Sequence, residues 1–214
     1  MTPLLAAGLW ALVGFALAPL IHAAIVILPA QAEGQATVRI YGRAQRAALR
    51  TLAIGAATAC VFAWLAWRHG FSWPTLVLSV YAVIFVIIIA IDLEHRLILN
   101  RVLVPAAVFA LLVAPTLANM SLTRVAMGAA AGFLLFLLPA LVMPGGLGGG
   151  DVKLAGFLGM VTGFPGILLA LMAGVIFGGA TTLLLLVTRR IGRRDYIPYG
   201  PFLVAGAMLI LAQW

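Results

Sequence analysis

The chain has 214 residues, of which 65% are hydrophobic and only 8% charged, a balance that excludes an ordinary soluble globular domain, where about a quarter of residues are charged. Its formal net charge is +8, but in so apolar a chain the placement of the cations carries more than their sum, and nucleic acid is not an expected partner. The single cysteine, Cys60, excludes an intrachain disulfide and any Cys-x-x-Cys zinc site.

Repeated apolar stretches of about 20 residues, each able to cross about 30 Å of hydrocarbon as a helix, predict an all-α, polytopic transmembrane bundle in the lipid bilayer. The first runs over about residues 4–28. It is followed by "PAQA" at 29–32, small residues of the kind a signal peptidase accepts, but the apolar run is too long and lacks a basic start, so a retained helix is expected. Residues 30–46 form the one polar connection longer than a tight turn. Further segments follow at about 47–67, 75–91, 102–118 and 122–143. The glycine-rich "GGLGGGDVKL" at 145–154 leads into a sixth segment at about 154–163, and two more lie at about 166–188 and 199–213. The sixth is the short one: ten residues at about 1.5 Å each reach about half way across the core, which predicts a partly re-entrant helix turning at Gly163, Pro165 and Gly166. No fixed-period repeat or second domain is visible, so residues 1–214 are read as one membrane-embedded domain of about eight segments.

The cations orient this bundle. Arg39, Arg43, Arg46 and Arg50, then Arg96 and Arg101, then Lys153, then Arg189, Arg190, Arg193 and Arg194 occupy alternate connections, 11 of the 13 basic residues in all. Arg68 and Arg124 occupy the other set. The positive-inside rule therefore predicts that the first set, with the glycine loop, is cytoplasmic and that both termini are outside.

Five acids stand in the chain: Glu33, Asp92, Glu94, Asp151 and Asp195. Asp92 ends the run "SVYAVIFVIIIAID" and Asp151 precedes "LAGFLGM", so both fall at helix ends on the same predicted face. Each has a structural reading: Asp151 as the N-cap of the sixth helix, Asp92 as a boundary residue paired with Arg96 four positions on. Together they suit aspartic-protease chemistry, in which two close carboxylates share one proton, one activating water and the other polarising the scissile carbonyl. Gly148 and Gly150 are expected to give a substrate backbone clearance beside Asp151 and to allow positive φ. Lys153 is expected either to hold the ionised Asp151 or bind substrate carbonyls, or to snorkel to the surface. His22 and His95 read as locally satisfied histidines. Gly128 with Gly132, and Gly174 with Gly178, read as close helix packing within the bundle. The oligomeric state is left open.

Three stretches, "IDLEHRLILN" at 91–100, "GLGGGDVKL" at 146–154 with its G-x-G-D core, and "IPYGPFL" at 197–203, resemble in residues and order the signatures of type IV prepilin peptidases, the GxGD membrane aspartic proteases. The resemblance is good over roughly residues 75–214. It implies a multi-pass protein of the inner membrane that removes the short basic leader of prepilins or pseudopilins at the cytoplasmic face, in pilus assembly or type II secretion, with Asp92 and Asp151 as the catalytic pair. No cofactor and no metal is expected, since water activation falls to the carboxylates. Many members also carry two Cys-x-x-Cys pairs after the first helix and methylate the new pilin N-terminus; here the region is the cysteine-free "AQAEGQATVRIYGRAQRAALR", which excludes a zinc-bound subdomain there and puts methyl transfer in doubt. Two other readings of the acids stand beside this one: a small transporter or proton channel using them as a relay, and a non-catalytic assembly factor.

Overall fold

A computed structural model describes residues 2–32, 44–118, 120–142, 148–190, 192 and 198–213. Most of the 30–46 connection, with Glu33, Arg39 and Arg43, lies outside them, as do Arg193, Arg194 and Asp195. Among the described residues there is no strand. The helices are α1 (Pro3–Ala16), α2 (Ala18–Ala32), α3 (Ala44–His69), α4 (Trp73–His95), α5 (Asn100–Val113, continued by a 3₁₀ turn at Ala114–Thr116), α6 (Leu122–Val142), α7 (Gly149–Thr162), α8 (Gly166–Val187) and α9 (Gly200–Leu211).

Five stretches among them, Pro3–Ala30, Ala48–His69, Trp73–His95, Leu122–Val142 and Gly166–Val187, are long and apolar enough to cross a membrane, so this is a multi-pass helical membrane protein. Two departures from the sequence expectation are instructive. The first apolar segment is two helices, separated at Leu17. Pro19 has no N–H with which to reach the carbonyl four residues back, so the ladder is interrupted there. The sixth segment is longer than expected, because Gly149, Gly150 and Asp151 join the helix. At 14 residues α7 rises about 21 Å, still short of the hydrocarbon thickness.

The ends are cut by local chemistry. Gly70, with φ 62°, closes α3, and the Ser72 hydroxyl accepts the Thr75 N–H at 3.4 Å at the start of α4. The Ser121 hydroxyl does the same for Arg124 N–H at 3.2 Å in α6. Gly163, with φ 65°, stops α7; the Phe164 N–H then donates to the Arg124 carbonyl at 3.0 Å, tying this turn to the start of α6.

Contacts gather the chain into two compact units, residues 1–91 and 92–214, with the division in the last turn of α4. In the first, α3 packs on α1 and α2. Trp10 there stacks on Phe62 with ring centroids 6.1 Å apart and donates from Nε1 to the Ser79 hydroxyl at 2.8 Å. His22 is half-buried, with Nδ1 2.6 Å from the Thr51 hydroxyl, a locally satisfied histidine. In the second unit α7 is central: it packs against α5, α6, α8 and α9, and nearly every residue from Asp151 to Thr162 is buried. A helix apolar all round belongs in such a place.

The glycine pairs work inside this unit. A side-chain carbon on Gly128 would strike the carbonyl oxygen of Gly159, and one on Gly132 that of Ala155, so α6 and α7 touch backbone to backbone. Gly174 of α8 likewise meets the backbone of Phe202 and Leu203 in α9, and Gly178 makes room for the rings of Tyr199 and Phe202.

Candidate functional site

Both aspartates singled out in the sequence belong to the second unit, and each is only 4% exposed. Asp92 comes to its place as the last inward-facing residue of α4. Arg96 adopts a left-handed conformation, φ 55°, after its N–H donates to the Asp92 carbonyl at 2.8 Å. Its chain leaves the helix at that point. The neighbouring Glu94 and His95 are exposed and lie 3.9 Å apart.

What meets Asp92 instead is the first residue of α9. A side-chain carbon on Gly200 would collide with Oδ2 of Asp92, and the Gly200 N–H points to the carboxylate. Oδ2 itself is buried with no hydrogen-bond partner among the described residues. An unpartnered buried carboxylate oxygen is costly, and such groups persist where a ligand or a reaction uses them. Gly200 was missed as a site residue in the sequence. The stretch "YGP" signals a helix start, but nothing in it points 108 positions back to an aspartate.

Asp151 is positioned differently. Gly148, extended at φ −73° and ψ 139°, is the N-cap of α7 and no side chain caps the helix. Asp151 is therefore the third residue of the helix and not its cap, correcting that expectation. Its N–H and that of Val152 donate to the Gly148 carbonyl at 3.0 and 3.4 Å. An acid in the first turn also meets the partial positive charge of the helix N-terminus.

The glycines beside it need no positive φ; among the described residues the glycines with positive φ are Gly70 and Gly163. Gly150 is instead a place of close approach, since a side-chain carbon there would lie 3.1 Å from Cβ of Ile98. Gly149 faces open space. Lys153 stands two residues beyond Asp151, about 200° around the helix, and is exposed. Its ammonium donates to Oδ1 of Asn100 at 3.3 Å. The Ile98–Gly150 and Asn100–Lys153 contacts thus join the segment that follows Asp92 to the first turn of α7, bringing two of the sequence signatures together, while Gly200 brings the third against Asp92. No cluster of three or more His, Cys, Asp or Glu side chains stands among the described residues.

Residues 79–183 match the type IV leader peptidase family. The chain is 33% identical over 155 residues to a protein of Bacillus subtilis (strain 168) named prepilin leader peptidase/N-methyltransferase, an alignment covering 71% of this chain and 61% of that protein. It is 28% identical over 149 residues to a protein of the same name from Xanthomonas campestris pv. campestris, covering 67% of this chain and 52% of the relative. The chain thus spans about half to three fifths of the length of these relatives. No solved structure matches it.

Proposed function

We propose that this chain, whose residues 79–183 match the type IV leader peptidase family, is a membrane aspartic endopeptidase that removes the short basic leader of prepilins or pseudopilins. The observation that carries the reading is the pair of buried carboxylates, Asp92 and Asp151, at helix ends of one unit in a chain with only five acids. Exposed boundary acids would need no such explanation; buried ones in a membrane protein are functional by default.

In the proposed reaction one carboxylate, ionised, takes a proton from water as the water oxygen attacks the scissile carbonyl. The other, protonated, gives its proton to the carbonyl oxygen. Collapse of the tetrahedral diol then breaks the C–N bond: the amine leaves with the proton held by the first carboxylate, and a diol hydroxyl returns its proton to the second as the carbonyl re-forms. The start of α9 at Gly200 would fix Asp92, and the first turn of α7 would fix Asp151. The alternation of cations supports a site on the cytoplasmic face, where a basic leader would lie among the connections it must pass. The proposal covers the peptidase activity alone, since residues 30–46 hold no cysteine for a zinc-bound subdomain.

Asp92→Asn and Asp151→Asn, each made in the full chain and co-expressed with a prepilin, should leave a folded membrane protein and reduce leader removal by at least about 100-fold. Normal processing by either variant would refute the catalytic pair. Aspartate-dependent proton or solute flux in proteoliposomes without any cleavage would return the relay reading.

A further inference from the structure

Beyond the carboxylates, α7 borders a groove. Lys153, Gly156, Phe157 and Met160, spaced as one helical stripe, form the floor of this groove of about 460 Å³. Its walls are α5, through Leu103 and Val104, and α6, through Ala129 and Phe133. Val104 is 60% and Phe133 40% exposed, so the groove opens to the surroundings of the protein. In a multi-pass membrane protein those surroundings are lipid.

The two ends of the groove differ in chemistry. Along most of its length the lining is aliphatic or aromatic, with Gly156 on the floor and alanines on the walls. At one end stand Asn100, the first residue of α5, and Lys153, the fifth residue of α7. The N-terminus of α5 has no side-chain cap and carries partial positive charge, whereas that of α7 is met by Asp151 in its own first turn. Arg101, the next residue of α5, is exposed nearby. No carboxylate among the described residues lines the groove. Asn100 accepts from Lys153 with Oδ1, which leaves its amide NH₂ as a further donor. An apolar trough with a cation, an amide donor and the N-terminus of α5 at the level where helices begin is complementary to one molecule that the membrane itself supplies.

We infer that the α5–α6–α7 groove is a binding site for an anionic glycerophospholipid, with an acyl chain along the Gly156–Met160 floor and the phosphate at Lys153 and Asn100. The volume is that of a site for a small apolar ligand, and basic pockets between membrane helices favour anionic headgroups. The alternative occupant, an apolar helix of a protein substrate, fits less well. Asp151 projects from α7 about 200° from Lys153, so a helix lying in the groove would run along the face of α7 opposite to that carboxylate. The site stands independently of the proteolytic proposal.

The test uses the purified full chain in neutral detergent, with thermal unfolding followed as dioleoyl-phosphatidylglycerol or dioleoyl-phosphatidylcholine is titrated into the micelles. Phosphatidylglycerol should raise Tm at a several-fold lower concentration than phosphatidylcholine. Lys153→Gln, a change at an exposed side chain, should abolish that preference while both lipids still stabilise. Ala129→Phe, which fills the groove, should reduce stabilisation by both, and binding of the two lipids detected by native mass spectrometry should fall in parallel. Equal action of the two lipids on the unaltered protein, or an undiminished preference in Lys153→Gln, would overturn the inference. So would the same rise in Tm from inorganic phosphate alone, which would mean a free-anion site, or displacement of bound phosphatidylglycerol by a synthetic apolar helix, which would mean a helix-docking groove.

Discussion

The two units of the chain hold their helices together by different balances of the same means. In residues 1–91 one glycine, Gly14, lies against the Thr58 backbone, and side-chain hydrogen bonds join the helices besides: the Thr58 hydroxyl reaches the Gly14 carbonyl at 3.0 Å, Trp10 reaches Ser79, and His22 lies against Thr51. In residues 92–214 the close contacts are made by glycines with backbone against backbone, α6 on α7 at Gly128 and Gly159, α8 on α9 at Gly206 and Ala170. Hydrogen bonds between membrane helices are modest, about 0.6 kcal/mol on average, because the separated helices find other partners. Backbone contact admits no added atom. Both buried carboxylates lie in the second kind of unit, where the placement of helix ends is set to within a side-chain carbon.

That contrast is open to attack by substitution. The largest effect is expected from Gly200→Ala, whose new carbon would displace the Asp92 carboxylate. A shift of about 1 Å in a catalytic group costs on the order of 100-fold, so leader cleavage should fall by about that factor while the protein still inserts and unfolds cooperatively. Wild-type cleavage by Gly200→Ala would mean that α9 does not hold Asp92 in the working enzyme.

Next comes Gly159→Ala, which drives a carbon into Gly128 and lies 2.9 Å from the Ala129 nitrogen. Overpacking of this kind costs about 1–3 kcal/mol or more, and a lowered Tm in detergent should show it. A smaller loss, near 0.6 kcal/mol, is expected for Thr58→Val, which removes the hydroxyl bonded to Gly14 and keeps the shape; its unfolding should shift less than that of Gly159→Ala. If the order is reversed, the division into glycine-packed and hydrogen-bonded units is wrong. The smallest change belongs to Gly179→Ala on α8, where a side-chain carbon meets nothing within 4 Å, so Tm should hold or rise slightly as helix propensity improves.

Much of this was legible in the residues. Hydropathy runs marked the spans, and each of the five stretches able to cross a membrane overlaps an expected segment. Asp92 and Asp151 stood out because a charged group inside an apolar run has so few innocent explanations. Less legible was how each acid is held. The N-cap expectation for Asp151 failed by three residues, because packing of α7 on four neighbours carries the helix back through two glycines that local propensity would leave in the loop. Nor does the apolar run before Asp92 announce that a left-handed Arg96 ends the helix just after it.

Composition and charge by themselves determined that the chain is a multi-pass helical membrane protein with two acids set apart from the rest, since transfer of apolar and charged groups into hydrocarbon depends on residue type and run length alone. Three partnerships were decided only by the tertiary structure: Asp92 with Gly200, Gly150 with Ile98, and Lys153 with Asn100. Each joins residues more than 50 positions apart, and which of them meet depends on how closely the helix backbones approach, a property of the packed bundle that no stretch of the sequence contains.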